Sequence, residues 1–371
     1  MDQDNAIYVT KPYLPPIEEY VQYLDEIWKN GILTNNGPIH RQLEKALQTR
    51  FGWKNTSLFT NGHLALEAAL KVMDLKKGGE IITTPYTFVS TVAAIVNQGF
   101  EPVFCDIGVN CTIDPNHIEY LITEKTVAIL PVHVYGFPCD TERIEKIAND
   151  HKLKVLYDAA HAIGVKYKGE DISSYGDISM FSFHATKLFN TIEGGALVFK
   201  NAELKSLIDL HKNFGISGQE SIELVGMNAK MNEFQAAMGM LLLRYFDFMI
   251  KQRKTVYDRY LHNLEGVGSL EVLRKNDDTK YNYAYMPVLF KTGRDRVFSC
   301  LEKENIFARK YFSPCISKVE SYKRYLRGNS LIKAETAAEQ IITLPIYPEL
   351  TTTQVDIICE IIIDAMYEGG R

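Results

Sequence analysis

Lys187 stands in the stretch FSFHATKLFNTIEGG, five residues after Ser182 in an apolar run and seven before the pair Gly194-Gly195. A lysine amine with its ordinary pKa of about 10.4 is protonated at neutral pH and is a poor nucleophile. Desolvation or a neighbouring cation frees the lone pair, and such a lysine forms a Schiff base with an aldehyde. The plainer alternative is a surface lysine trailing a strand. Asp158, in KVLYDAAHA, bears on that choice. It ends an apolar run, where ligands gather on open parallel sheets, and a carboxylate there needs a partner. A protonated pyridine nitrogen is one such partner, and pyridoxal phosphate supplies it; a cap on the next helix is the other reading.

Three more positions extend the pattern. In FTNGHLALEAAL a strand turns at Asn61-Gly62 into a helix beginning near His63. The unpaired amides of that helix start make a phosphate site, and glycine admits close approach; His63 offers its amide. Phe88, in TTPYTFVST, has a face that can stack on a heteroaromatic ring or can simply fill a core. The Ser182 hydroxyl reaches toward the same phosphate. A phosphate cradle, a stacking ring, a carboxylate and an amine thus follow in chain order, each near the end of an expected strand.

Those ends belong to an alternating pattern. TSLFT, GEIITTP, EPVFCDI, VAILPVHV, KVLYDAA and DISMFSF read as strands, separated by HLALEAALKVM, FVSTVAAIVNQG and TERIEKIANDH as helices. Short apolar β-branched runs between longer periodic segments predict parallel strands with crossover helices, the strands covered on both faces. Before them, the chain turns at Gly37-Pro38 into a helix. After them, residues 235–265 read as one long helix leading to a smaller α+β unit, in which YNYAYMPVLF (281–290) alternates like a strand. The expected division is a large cofactor-binding domain, 1–250, and a small C-terminal domain, 251–371.

Composition narrows the function classes. Of 371 residues, 46% are hydrophobic and 23% charged, an ordinary globular balance. A net charge of −5 exerts no global pull on nucleic acid. The six cysteines show no metal-ligand spacing and read as free thiols in a reducing cytoplasm, and no metal is expected. The acidic, Pro-containing N-terminus is unlike a signal peptide, and no run approaches the roughly 20 apolar residues of a membrane span.

Taken together, TNGHLAL, PYTFVST, PVHVYG, DAAHA, FSFHATK with EGG, and GMNAKMNEFQAA resemble the DegT/DnrJ/EryC1/StrS family of nucleotide-sugar aminotransferases, from about residue 8 to LPIYPELT. The resemblance implies the α/β fold of type I pyridoxal-phosphate transferases, like aspartate aminotransferase, with a mostly parallel sheet in the large domain. It implies pyridoxal 5'-phosphate as cofactor, L-glutamate as amino donor, and a nucleotide-linked keto sugar as acceptor. Lys187 then corresponds to the lysine that holds the cofactor and shuttles the proton, and Asp158 to the partner of the ring nitrogen. Gly62 and His63 supply phosphate amides, Ser182 a phosphate hydroxyl, and Phe88 the stacking ring. His161 stands where glutamine is commoner and faces the ring oxygen, leaving its tautomer open. Asn228 corresponds to an asparagine that reaches the phosphate of a neighbouring subunit, which implies a homodimer with shared sites. Asn35, Asn36, His184 and Tyr311 are candidates for the sugar pocket, and equally for loop and packing roles. His133 reads as structural.

Within the family, LTNNGPIH, FSFHATK and GMNAKMNEFQAA are most similar to the branch producing dTDP-4-amino-4,6-dideoxy-D-glucose. A relative acting at C3 of a dTDP-3-keto sugar shares much of this vocabulary. Surface glycan such as O-antigen is the expected destination, and the cytoplasm the expected place. Competing readings are a pyridoxamine-phosphate sugar dehydratase, disfavoured because Lys187 is retained, and a non-catalytic cofactor-binding regulator. A dinucleotide-binding protein is disfavoured because no G-x-G-x-x-G follows an expected strand.

Overall fold

A computed structural model describes residues 6–367. The six apolar runs become strands β1 (Asn55–Phe59), β2 (Glu80–Thr83), β3 (Glu101–Phe104), β4 (Thr126–Ile129), β5 (Lys154–Asp158) and β6 (Ile178–Ser182), and a further strand, β7 (Gly195–Phe199), follows where the sequence predicts only the EGG turn. They form one sheet in the order β1-β7-β6-β5-β4-β2-β3. The pairings from β6 through β5, β4 and β2 to β3 are parallel; β7 runs antiparallel to both its neighbours. Strands buried on both faces explain the near-absence of polar alternation.

Among the described residues, twelve α-helices accompany this sheet and a second one: α1 (Ile17–Asn30), α2 (Pro38–Phe51), α3 (Gly62–Val72), α4 (Val89–Asn97), α5 (Pro115–Leu121), α6 (Thr141–His151), α7 (Leu204–His211), α8 (Glu233–Arg244), α9 (Phe246–Asn263), α10 (Arg294–Lys303), α11 (Ile332–Gln340) and α12 (Thr352–Tyr367). Ala65, Leu66 and Ala69 of α3 pack with Leu156, Met180 and Leu197 of the sheet. On the other side, Leu43 of α2 and Ala237 of α8 join Phe181 and Val198 in a core that continues into the second sheet through Val288 and Ile342. Each of the Leu, Ile, Val, Phe and Met side chains among these, fully buried, contributes about 1.5–3 kcal/mol. The second sheet is antiparallel, with β8 (Leu270–Val272), β9 (Met286–Phe290) and β10 (Ile341–Leu344) in that order.

Two expectations are corrected. The stretch 235–265 is two helices, not one, broken at Tyr245 (φ −94°, ψ 3°). No Gly or Pro announces the break. It coincides with tertiary contacts of Tyr245, whose ring packs on Tyr13 and whose hydroxyl donates to the Glu19 carboxylate. The strand expected over 281–290 begins only at Met286. Residues 281–285 are diverted by side-chain bonds to the other sheet's loops: Tyr281 donates to the Tyr135 carbonyl (2.9 Å) and Asn282 to those of His161 and Ile163 (2.8 and 3.0 Å).

Candidate active site

The C-terminal ends of β1, β5 and β6 open on a cavity of about 320 Å³, to which Asn61, Gly62, His63, Phe88, Asp158 and Lys187 all contribute. Segments distant in sequence meet there because parallel strands deliver their following loops to one edge, where Tyr285, Tyr311 and Phe312 join them.

The turn after β1 is built for close approach. Asn61 caps α3, its side chain accepting from the Leu64 amide (2.8 Å). That leaves the first amides of the helix without intrahelical acceptors, facing the cavity with the positive end of the helix dipole. A methyl group on Gly62 would meet the Ser182 Cβ at 3.2 Å, and one on Gly195 would lie 2.8 Å from the Gly62 nitrogen. Gly195, the second glycine of EGG, therefore lets the turn press onto β7. The His63 ring is engaged with Ser90 (2.9 Å) and Glu67 (3.2 Å), so its contribution to an anion is through the main chain.

Asp158 ends β5 and is 5% exposed. It accepts from the Thr91 hydroxyl (2.7 Å) and the Ala160 amide (3.0 Å). Burial raises its pKa; Thr91, Ala160 and the charge of Lys187 act in the opposite direction. His161 answers the tautomer question. Its Nδ1 accepts from the Tyr135 amide (3.0 Å), so the proton of the neutral ring is on Nε2. Burial and the nearby Lys187 hold its pKa well below the usual value, so the ring stays neutral.

Lys187 sits in a turn after β6, its amide bonded to the His184 carbonyl (2.8 Å). Its Nζ donates to the Tyr285 hydroxyl (3.2 Å). His184 lies beside it, with Nδ1 near the Thr186 hydroxyl (2.8 Å) and Nε2 3.4 Å from Glu193. Phe88 is 58% exposed at the cavity, and Ser182 and Tyr311 line it. The Tyr311 carbonyl accepts from the Tyr86 (3.3 Å) and Tyr135 hydroxyls.

Three of the sequence candidates lie elsewhere. Asn35 and Asn36, both at positive φ, occupy the loop between α1 and α2 and are not among the residues lining the cavity. That loop is anchored by Glu233, whose carboxylate accepts from the Ile39 and His40 amides (2.8 and 2.9 Å). Asn228 is exposed and accepts from Lys230 Nζ (3.1 Å). His133 is buried, accepts from the Cys139 amide (3.1 Å) and stacks on Tyr157 at 4.6 Å; burial pushes its pKa down to about 3. Sequence reasoning missed Thr91, Glu193, Tyr285 and Phe312. Thr91 is the third residue of an ordinary helix, and Tyr285 lay inside an apparent strand.

The donor set fits pyridoxal phosphate. A buried carboxylate with raised pKa suits a cationic ring nitrogen, a helix start suits a phosphate, and a lysine between them suits an aldehyde. Among the described residues no group of acidic, histidine or cysteine side chains could hold a metal, and no helix is long and apolar enough to cross a membrane.

Comparison with known proteins agrees with that chemistry. The model of the DegT/DnrJ/EryC1/StrS aminotransferase family matches residues 16–363. The dTDP-4-amino-4,6-dideoxy-D-glucose transaminase of Shigella dysenteriae is 41% identical over 354 residues, covering 94% of this chain and 96% of the relative. The transaminase of the same description from Escherichia coli is 40% identical over 375 residues, 98% and 100% of the two chains. Among solved structures, DesI, crystallised in the presence of its TDP-sugar product, superposes with a TM-score of 0.93 at 30% identity, covering 98% of this chain and 94% of that one.

Proposed function

We propose that this chain, which belongs to the DegT/DnrJ/EryC1/StrS aminotransferase family, transfers the amino group of L-glutamate to C4 of dTDP-4-keto-6-deoxy-D-glucose, giving dTDP-4-amino-4,6-dideoxy-D-glucose. It is a pyridoxal-phosphate-dependent aminotransferase. The observation that carries the site assignment is the meeting of Lys187, buried Asp158 and the Gly62 helix start in one cavity. The sugar is supported by the two full-length relatives at about 40% identity.

Bound pyridoxal phosphate supplies an aldehyde and an electron-withdrawing ring that stabilises charge at the donor's α carbon. Everything else is done by the chain. Asp158, buried and held by Thr91 and Ala160, would pair with a cationic ring nitrogen. His161 presents an Nε2–H toward the cavity while remaining neutral. The Gly62 and His63 amides and the Ser182 hydroxyl bind phosphate, and Phe88 stacks. Lys187, in reach of the cavity, would hold the cofactor's aldehyde, and its Nζ would carry the proton at the donor's α carbon. Positioning and electrostatics are thus the protein's share of the rate.

The working unit is a homodimer in which Asn228 reaches the partner's phosphate. Exposed Trp28 on α1, and Ile222 and Val225 near the Ile216–Ile222 hairpin, support a covering partner. The product is expected to leave for surface glycan such as O-antigen, made from nucleotide-sugar pools of the cytoplasm.

The test is direct. The purified protein should carry a visible absorbance band that L-glutamate bleaches and the 4-keto sugar restores. Borohydride reduction and peptide mapping should place the cofactor on Lys187, and Lys187→Ala should abolish turnover. A tag on another lysine refutes the assignment of Lys187; restoration only by a 3-keto sugar refutes the assigned acceptor.

A further inference from the structure

Tyr285 is not needed to hold the cofactor in the account above, yet it is the one side chain within hydrogen-bond distance of the Lys187 amine among the described residues, at 3.2 Å from Nζ. No carboxylate lies within ion-pair distance of that amine among the described residues. Lys187 therefore meets a hydroxyl and not an acid. The difference matters for an amine that must alternate between protonated and free. A carboxylate only accepts, so it favours the ammonium. A hydroxyl both accepts and donates: it takes a hydrogen bond from the ammonium and gives one to the neutral amine.

Tyr285, just ahead of a strand, is also held in place through the main chain around it. Arg253, 2% exposed on α9 and without an ion pair among the described residues, donates to the carbonyls of Tyr283 (3.3 Å) and Ala284 (3.2 Å). The Tyr285 carbonyl accepts from the Tyr281 hydroxyl (3.2 Å), which also bonds the Tyr135 carbonyl. The Tyr285 ring lies 4.6 Å from His161 and 6.2 Å from Tyr311, centroid to centroid. A buried guanidinium spent on two carbonyls costs desolvation that packing alone does not require. Its effect is to point one phenol from the second sheet at one amine of the first.

We propose that Tyr285 is a catalytic residue whose hydroxyl holds the Lys187 nitrogen in both of its protonation states, accepting from the ammonium and donating to the free amine. This rests on the role given to Lys187 above.

Tyr285→Phe keeps the ring and removes only the hydroxyl. In the half-reaction with L-glutamate we expect kcat to fall about tenfold or more, with KM changed less than about threefold. The primary isotope effect with Cα-deuterated glutamate should rise, because proton movement by Lys187 becomes slower. A second readout needs no turnover. Reductive methylation of the cofactor-free chain at pH 7, followed by peptide mapping, should label Lys187 at a rate changed at least about threefold in the variant, relative to the exposed Lys77, because the nitrogen has lost the hydroxyl that holds it. Melting temperature and cofactor dissociation constant should match the wild type. A Phe variant with unchanged kcat and unchanged Lys187 labelling overturns the proposal. So does a loss of activity explained by a lower melting temperature or weakened cofactor binding. If the unaltered enzyme instead fails to react with glutamate, the donor assignment falls, and the labelling result alone decides the role of Tyr285.

Discussion

At the residue scale the site stores a conflict that the cofactor resolves. Burial raises the Asp158 pKa above its unfolded value. Between those two values the folded chain binds more protons than the unfolded one, so stability falls as pH rises through that window. At neutral pH, without cofactor, an ionised Asp158 therefore costs stability. Asp158→Asn should raise the melting temperature of the cofactor-free protein by about 2 °C at pH 7. The gain should shrink as pH falls and vanish below the unfolded pKa of about 3.9. The same variant should bind cofactor more weakly and lose most activity. A lower melting temperature of the cofactor-free variant would contradict this account. Asp158 was legible from its place at the end of an apolar run. The Nε2–H tautomer of His161 was not, because it depends on an amide 26 residues away.

At the scale of elements, the second glycine of EGG is explained by what presses on it. Gly195 lies on β7, opposite Ser182 on one side and Phe59 on the other. A methyl at Gly195 would sit 2.8 Å from the Gly62 nitrogen and 2.9 Å from the Asn61 carbonyl carbon. Gly195→Ala should push the cradle away from its site and raise the cofactor dissociation constant about tenfold, about 1.4 kcal/mol. Titration of the cofactor-free protein measures this, and an unchanged constant would show that the turn has room to spare. Gln235 of α8 reinforces the same junction, its Nε2 donating to the carbonyls of Thr60 (3.2 Å) and Glu193 (2.8 Å). Of this part, the strands ending at Phe59 and Ser182 and the helix after Gly62 were readable from periodicity; β7, which begins inside the expected EGG turn, was not. The break at Tyr245 and the irregular path of 281–285 were not, because both are decided by partners distant in sequence.

At the scale of the whole molecule, the proposed shared site makes a prediction that no single chain can satisfy. If Asn228 completes the partner's site, Lys187→Ala and Asn228→Ala chains, each impaired, should complement when mixed and re-associated. Random pairing restores about a quarter of wild-type sites, all in heterodimers. Activity no greater than the sum of the separate variants would rule out sharing. Asn35 and Asn36 belong to this scale too, since neither lines the cavity of its own chain. By itself the sequence determined the alternation of strands and helices and the identity of the chemical groups. Apolar periodicity and side-chain type are local properties, readable within a window of a few turns. Tertiary structure alone decided which atoms meet. The Lys187–Tyr285 bond spans 98 residues and the Thr91–Asp158 bond 67, and such distances are set only when the sheets and their loops pack.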